Sequence, residues 1–259
     1  MAAHSFFVDP QSIQGGRAEL RGQVVHRIGR VLRLHPGDEI DLLDNSGFAY
    51  SARIVRVTRE SVSAEVLGRW RPATEPRVEL ALYQALLKGQ KMEMVLQKGT
   101  EIGVSIFVPV LSERCVSRPS AADLERRLGR WGDIVREAAE QSKRAVLPRV
   151  ASLCSFEDAC REAREADLAA MAWEEEPSQG LGTLVRETGV ATLAGREPAT
   201  RPRVALLVGP EGGFSEREAQ VAGGAGLRIA SLGPRILRAE TAALVAATVV
   251  LCETGDLGG

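Results

Sequence analysis

The hydrophobic period changes once along this chain, at "RPATEPR" (Arg71–Arg77), and that change limits the fold more than any other feature. Before it, "DEIDLLD" and "SARIVRV" alternate apolar and polar residues, with Asn45-Ser46-Gly47 as a turn between them, and "SVSAEVL" follows. Period-two runs broken by turn residues predict hairpins, and with no long helix among them they predict a small β-barrel. The two prolines of Arg71–Arg77 mark a linker. Beyond it, strands alternate with helices: strands at Val78–Leu86, Ser105–Val110, Asp167–Trp173, Val204–Val208 and Arg228–Leu232, and helices at Lys91–Gly103, from Ser120, after Ser155 and from about Thr241. The long helix from Ser120 carries Leu124, Leu128, Trp131 and Val135 on one face. Such alternation predicts βαβ units and a mostly parallel sheet. The expected organisation is a barrel over residues 1–72 and an α/β domain over 76–259. No internal repeat is visible, and a low-complexity loop at about Thr188–Arg203 separates two of the units.

Composition narrows the class. With 44% apolar and 26% charged residues in 259, the chain reads as folded. Its longest apolar run, Ala242–Cys252, is far short of a membrane span, and the N-terminus lacks a basic-then-apolar leader, so a cytoplasmic location is expected. Cys115, Cys154, Cys160 and Cys252 form no CxxC pair, and His4, His26 and His35 all lie near the start. That argues against a metal site and for reduced thiols. Residues 1–75 carry ten Arg against nine acids and residues 76–150 thirteen Lys/Arg against nine, whereas the remainder carries ten against sixteen. A polyanion could therefore be met by the first two-thirds.

Two loops stand out. "ALLVGPEGGFSEREA" (Ala205–Ala219) takes a strand through Gly-Pro-Glu-Gly-Gly into a helix whose start is fixed by a Ser215/Glu218 capping box. Gly209, Gly212 and Gly213 allow close backbone approach, and Pro210 stiffens the turn. Neither GxGxxG nor GxxxxGK[ST] is present, and Glu211 would repel a phosphate, so a cationic or neutral ligand suits this turn. "LGPRILRAETAALVAATVVL" (Leu232–Leu251) is a second strand, Gly-Pro, loop and helix. Either loop alone is compatible with an ordinary strand-to-helix turn. Together, at the carboxyl ends of parallel strands, they are expected to sit side by side and form a site.

These loops resemble those of the SPOUT methyltransferases, and of the RsmE family in particular, which methylates N3 of a uridine in 16S rRNA. "LLVGPEGGFS" and "LGPRILRAETA" resemble the family's cofactor loops. "KGQKMEMVLQKGTEIGV", "SERC" and "EAAEQSKR" resemble its middle segments, and "HRIGRVLRLHPGD" with "DLLDNSG" its N-terminal PUA-like barrel. One departure is Ser5, which precedes Phe6-Phe7 where the family often has Arg. The resemblance implies a PUA-like RNA-binding barrel, a SPOUT domain with a trefoil knot that binds S-adenosylmethionine (SAM), no metal, a homodimer formed through the knot region, and 16S rRNA, within the small ribosomal subunit, as partner. It points to Gly209, Glu211 and Gly212 of the first loop, Leu232, Gly233, Ile236 and Leu237 of the second, and Ala172 and Trp173 at a strand end as the cofactor site. Leu232, Ile236 and Leu237 read equally well as core residues.

Methyl transfer from a sulfonium asks mainly for alignment and exclusion of water, so an α/β domain without His is compatible with it and unlike a Ser-His hydrolase. Uridine N3 must lose a proton first. Arg235 and Arg238 can stabilise charge on the uracil oxygens, and Glu240 can accept the proton. A surface charge for Arg235 and helix-start capping for Glu240 are the plainer readings. His26, Arg27, Arg30 and Arg33, with Lys88, Lys91, Arg114, Arg118 and Arg144, are candidates for RNA phosphate contacts. A non-catalytic ribosome-assembly factor keeping the same fold is the alternative, and an α/β enzyme for another adenine-containing cofactor a third reading.

Overall fold

The computed structural model describes residues 4–176, 178–193 and 201–258, so part of the low-complexity loop lies outside the described residues. The chain divides into two compact units, Met1–Glu75 with Arg136–Leu147, and Pro76–Val135 with Pro148–Gly259.

The first unit is built on β1 (His4–Phe7), β2 (Ile13–Gln14), β3 (Arg17–Arg21), β4 (Glu39–Leu43), β5 (Ala49–Val57) and β6 (Ser61–Trp70). Their order is β1-β4-β5-β6-β3-β2, antiparallel except where β1 lies along β4. The sheet curls around one core because alternate residues from nearly every strand, among them Phe6, Leu20, Ile40, Leu42, Ile54 and Val62, point to the same side. A short helix, α1 (Gln23–His26), continuing as a wide turn over Arg27–Val31, adds Val25 and Ile28 to that core.

The second unit contains β7 (Glu79–Ala85), α2 (Lys91–Ile102), β8 (Ile106–Leu111), α3 (Ala121–Gln141), β9 (Arg149–Val150), β10 (Cys154–Ser155), α4 (Phe156–Ala163), β11 (Leu168–Ala172), α5 (Leu181–Glu187), α6 (Val190–Leu193), β12 (Arg203–Val208), α7 (Glu216–Gly224), β13 (Arg228–Ala230) and α8 (Ala239–Glu253). The last turns of α3 belong to the first unit. All strand pairings here are parallel, in the order β10-β8-β7-β12-β11-β13 with β9 beside β8. Local chemistry sets the helix limits. Ser215 caps α7 in the expected box with Glu218, Ser155 caps α4, and Gly103 ends α2 at φ 121°. Gly99 inside α2 has a packing reason: a Cβ there would stand 2.7 Å from Phe107 Cε1. The small residues Ala239, Ala243, Ala246 and Ala247 are buried and let α8 lie close against α2 and α5.

One expectation needs correcting. The two Gly-Pro loops are not on adjacent strands. The crossover from β12 through α7 to β13 passes over β11, which pairs with both. Among the described residues no helix is long and apolar enough to cross a membrane.

Candidate active site

Three neighbouring strands, β12, β11 and β13, end on the same side and open a cavity of about 640 Å³ at their carboxyl tips. The first wall is the loop after β12. Its Gly209 has no room for a side chain, since a Cβ would be 3.2 Å from the backbone of Gly213 and Phe214, and Gly213 N–H closes the turn on Pro210 O at 3.0 Å. Gly213 itself sits at φ 67°, a backbone conformation that favours glycine, and a Cβ there would meet the Glu174 carboxylate at 2.1 Å and push it aside. Gly212 is different. It does not line the cavity, and its Cβ position faces Arg114 at 3.3 Å.

That arginine belongs to "SERC", which braces the loop from outside. Arg114 Nη1 donates to Gly212 O at 3.0 Å and Phe214 O at 3.3 Å. Glu113 N–H donates to Glu218 Oε1 at 2.9 Å, and Ser215 Oγ donates to Glu113 Oε2 at 2.8 Å. From the sheet side, buried Gln84 donates through Nε2 to Gly209 O at 3.2 Å, while its Oε1 has no hydrogen-bond partner among the described residues.

The middle wall is Ala172 and Trp173, whose indole Nε1 is buried and makes no hydrogen bond among the described residues. Trp173 N–H is tied to Ala230 O at 3.0 Å. The third wall is the loop Leu232–Arg238. Gly233 takes φ 111° and donates its N–H to Ser231 Oγ at 3.2 Å, giving the bend that faces the loop into the cavity. Ile236 is 92% exposed while lining that cavity, and Leu232 and Leu237 are half-buried, so this stretch is not core.

Charge is distributed unevenly around this space. Glu174, Glu176 and Glu211 line it, as do Lys91, Arg235 and Arg238. Lys91, a candidate for RNA contact by sequence, instead stands 3.4 Å from both Glu211 Oε1 and Glu240 Oε2, joining the first loop to the start of α8. Burial works to raise the Glu211 carboxyl. The Lys88 N–H at 3.0 Å, its own N–H and the Lys91 ammonium outweigh that and hold it below the ordinary glutamate range. Glu240 is 8% exposed, and its Oε2 makes no hydrogen bond within the described residues. Arg235 and Arg238 are exposed.

The remaining basic candidates separate. Arg144 is buried against Glu75 at 2.9 Å, so its charge is used inside the protein and is not offered to a polyanion. Arg27 pairs with Glu140 and lies over Phe6, and Arg118 bonds Glu113 O. His26, Arg30, Arg33 and Lys88 are exposed. Among the described residues no group of three or more His, Cys, Asp or Glu side chains could hold a metal ion.

A deep cavity at parallel strand tips, with glycine turns for backbone approach and carboxylates for a cationic group, suits a small charged co-substrate, and exposed arginines at its edge suit an anionic one. The sequence matches two family models, an RNA methyltransferase domain over residues 74–251 and an RNA methyltransferase PUA domain over 20–67. Fold, site and models together define an RNA methyltransferase. Curated relatives include the ribosomal RNA small subunit methyltransferase E of Bacillus subtilis, 31% identical over 93% of this chain and 91% of its own, and that of a Synechocystis strain, 34% identical over 94% and 76%. A crystal structure of the Neisseria gonorrhoeae ribosomal RNA small subunit methyltransferase E, bound to S-adenosyl methionine, superposes with TM-score 0.80 at 30% identity, covering 95% of each chain. The chain belongs to the ribosomal RNA small subunit methyltransferase E family.

Proposed function

We propose that this chain transfers a methyl group from SAM to N3 of a uridine in small-subunit rRNA. The single observation that carries the reading is the cavity at three strand tips, lined by Glu174, Glu176 and Glu211 and by Arg235 and Arg238. Its residues fit the co-substrate: Gly209 and Gly213 line the cavity without side chains, and Glu174, Glu176 and Glu211 suit a sulfonium and an ammonium. Bound SAM would supply an electrophilic methyl on sulfur. The chain's residues do the rest. Leu232, Ile236 and Leu237 exclude water over the site. Arg235 and Arg238 stabilise the negative charge that spreads onto the uracil oxygens, and Glu240, whose Oε2 makes no hydrogen bond among the described residues and faces the Lys91 ammonium at 3.4 Å, takes the N3 proton.

We further infer that the α/β unit is knotted, a reading supported by the resemblance of its two Gly-Pro loops to those of the SPOUT methyltransferases. Homodimerisation, action on the assembled subunit and a cytoplasmic location complete the proposal. Labelled SAM incubated with small subunits from cells lacking the protein tests the reaction: methyl at uridine N3 is expected, and binding without transfer would refute the catalytic reading. Arg238→Ala should bind SAM almost normally and lose transfer. Turnover at the wild-type rate would remove Arg238 from the mechanism.

A further inference from the structure

The barrel unit carries a second cluster that the methyl-transfer site does not use. The β5–β6 register sets Tyr50 opposite Arg69, so by the two-residue period Phe48, Tyr50, Arg69 and Arg71 share one face at the end of this strand pair. The Arg69 guanidinium lies 3.6 Å from the centroid of the Phe48 ring and 5.5 Å from that of Tyr50, and the Arg71 guanidinium lies 5.8 Å from Phe48. Both arginines are exposed, and among the described residues neither guanidinium makes a side-chain hydrogen bond or a direct ion pair, although the Arg69 charge is felt at the Asp44 carboxylate. The nearby carboxylate, Asp44, is occupied elsewhere: it accepts from Tyr50 Oη at 2.9 Å, Ser46 Oγ at 2.6 Å and Ser46 N–H at 2.9 Å.

A guanidinium laid on a ring face is held flat without a carboxylate, so all its N–H donors and its outer face stay available. Arg53, by contrast, is tied to Glu39 on β5 and β4. Two cations on one aromatic ring, with no carboxylate in direct contact with either, call for a ligand that brings negative charge and flat apolar faces together. Single-stranded RNA does both, through phosphates for the guanidinium edges and a base for the outer side of the stack.

We propose that Phe48, Arg69 and Arg71 form a stacking site for a single-stranded segment of the RNA substrate, separate from the methyl-transfer cavity. This rests on the reading of the chain as one that acts on RNA.

The test uses the full chain and a fluorescein-labelled single-stranded RNA of about ten nucleotides, within the footprint of a small β-barrel, with a duplex of the same composition beside it. Affinities are read by anisotropy at fixed salt, and SAM binding by calorimetry checks the other unit. Loss of a stacked base from such a platform lowers affinity about tenfold or more. The double variant Arg69→Gln/Arg71→Gln should therefore lose about tenfold toward the single strand, keep its SAM affinity and keep its melting temperature. Arg69→Lys, which retains charge but cannot stack as a plane, should also weaken the single strand and leave the duplex nearly unchanged. Phe48→Leu should follow Arg69→Lys. Single-strand affinity at the wild-type level in the double variant would overturn the site while leaving the RNA reading intact. So would full rescue by Arg69→Lys, which would make the patch a mere phosphate contact. Weakened capture of ribosomal subunits with unchanged oligonucleotide binding would mark a protein contact and also overturn it. A wild-type chain that binds neither RNA would overturn the stacking site, whereas the RNA reading itself stands or falls on methyl transfer to the small subunit.

Discussion

Gly212 and Gly213 follow one another in the sequence and face different neighbours. The sequence gives both the same standing, as residues that let the backbone approach a ligand. Only the fold separates Gly212, turned toward Arg114, from Gly213, pressed on Glu174 at φ 67°. Gly213→Val would add about 1–3 kcal/mol of backbone strain and displace Glu174, so SAM affinity should fall at least tenfold by calorimetry. Gly212→Ala should fall by less, and the reverse order would refute this account of the turn. Lys91 shows a similar limit. Its charge was legible in the sequence, but its placement between Glu211 and Glu240 depends on contacts across more than a hundred residues. Lys91→Met should slow transfer more than it weakens RNA binding, a split visible as a drop in kcat with KM for RNA little changed. The thiols give a pH prediction. Burial pushes Cys154 up to about 11 and Cys160 up to about 12, so both stay protonated in the fold while the unfolded chain ionises near the ordinary thiol value. Raised folded values mean stability that is complete below the unfolded value and is lost as pH climbs through the folded one. Denaturant midpoints should hold to about pH 8 and then decline toward pH 11, less steeply in Cys160→Ala when scaled to its own plateau.

At the scale of elements, what the sequence made legible was local. Ser215 with Glu218 marked where α7 begins, and Gly103 marked where α2 ends, because caps are short-range chemistry. Illegible were the long-range ties, such as Glu113 to Glu218 and Ser215, or Glu140 accepting from Phe7 N–H at 2.9 Å while pairing with Arg27. An acid in a helical run looks like a solvated face until its partner is known. Glu140 is 5% exposed, so Glu140→Ala strands a buried N–H and removes the carboxylate from Arg27. A loss of about 3 kcal/mol in urea unfolding is expected. A change within about 0.5 kcal/mol would mean that the pair adds little.

For the whole molecule, alternation of strand and helix was enough to predict a parallel sheet, since connected parallel strands need crossovers. It was not enough to order the strands, and β11 between β12 and β13 is the consequence. Local periods carry no information on which strand a crossover skips. Binding to ribosomal subunits should weaken steeply with salt, because His26, Arg30, Arg33 and Lys88 remain exposed while Arg144 does not. The logarithmic slope should lose about 0.7 to 0.9 for each exposed arginine changed to Gln, and a slope untouched by Arg30→Gln/Arg33→Gln would remove those two from the footprint. The shared helix α3 carries a last implication. Residues 136–147 supply Glu140 and Arg144 to a unit whose other residues all precede position 76. The barrel is therefore no cassette: a fragment cut before residue 76 would lack the carboxylate that holds Phe7 N–H and Arg27 and the guanidinium that meets Glu75.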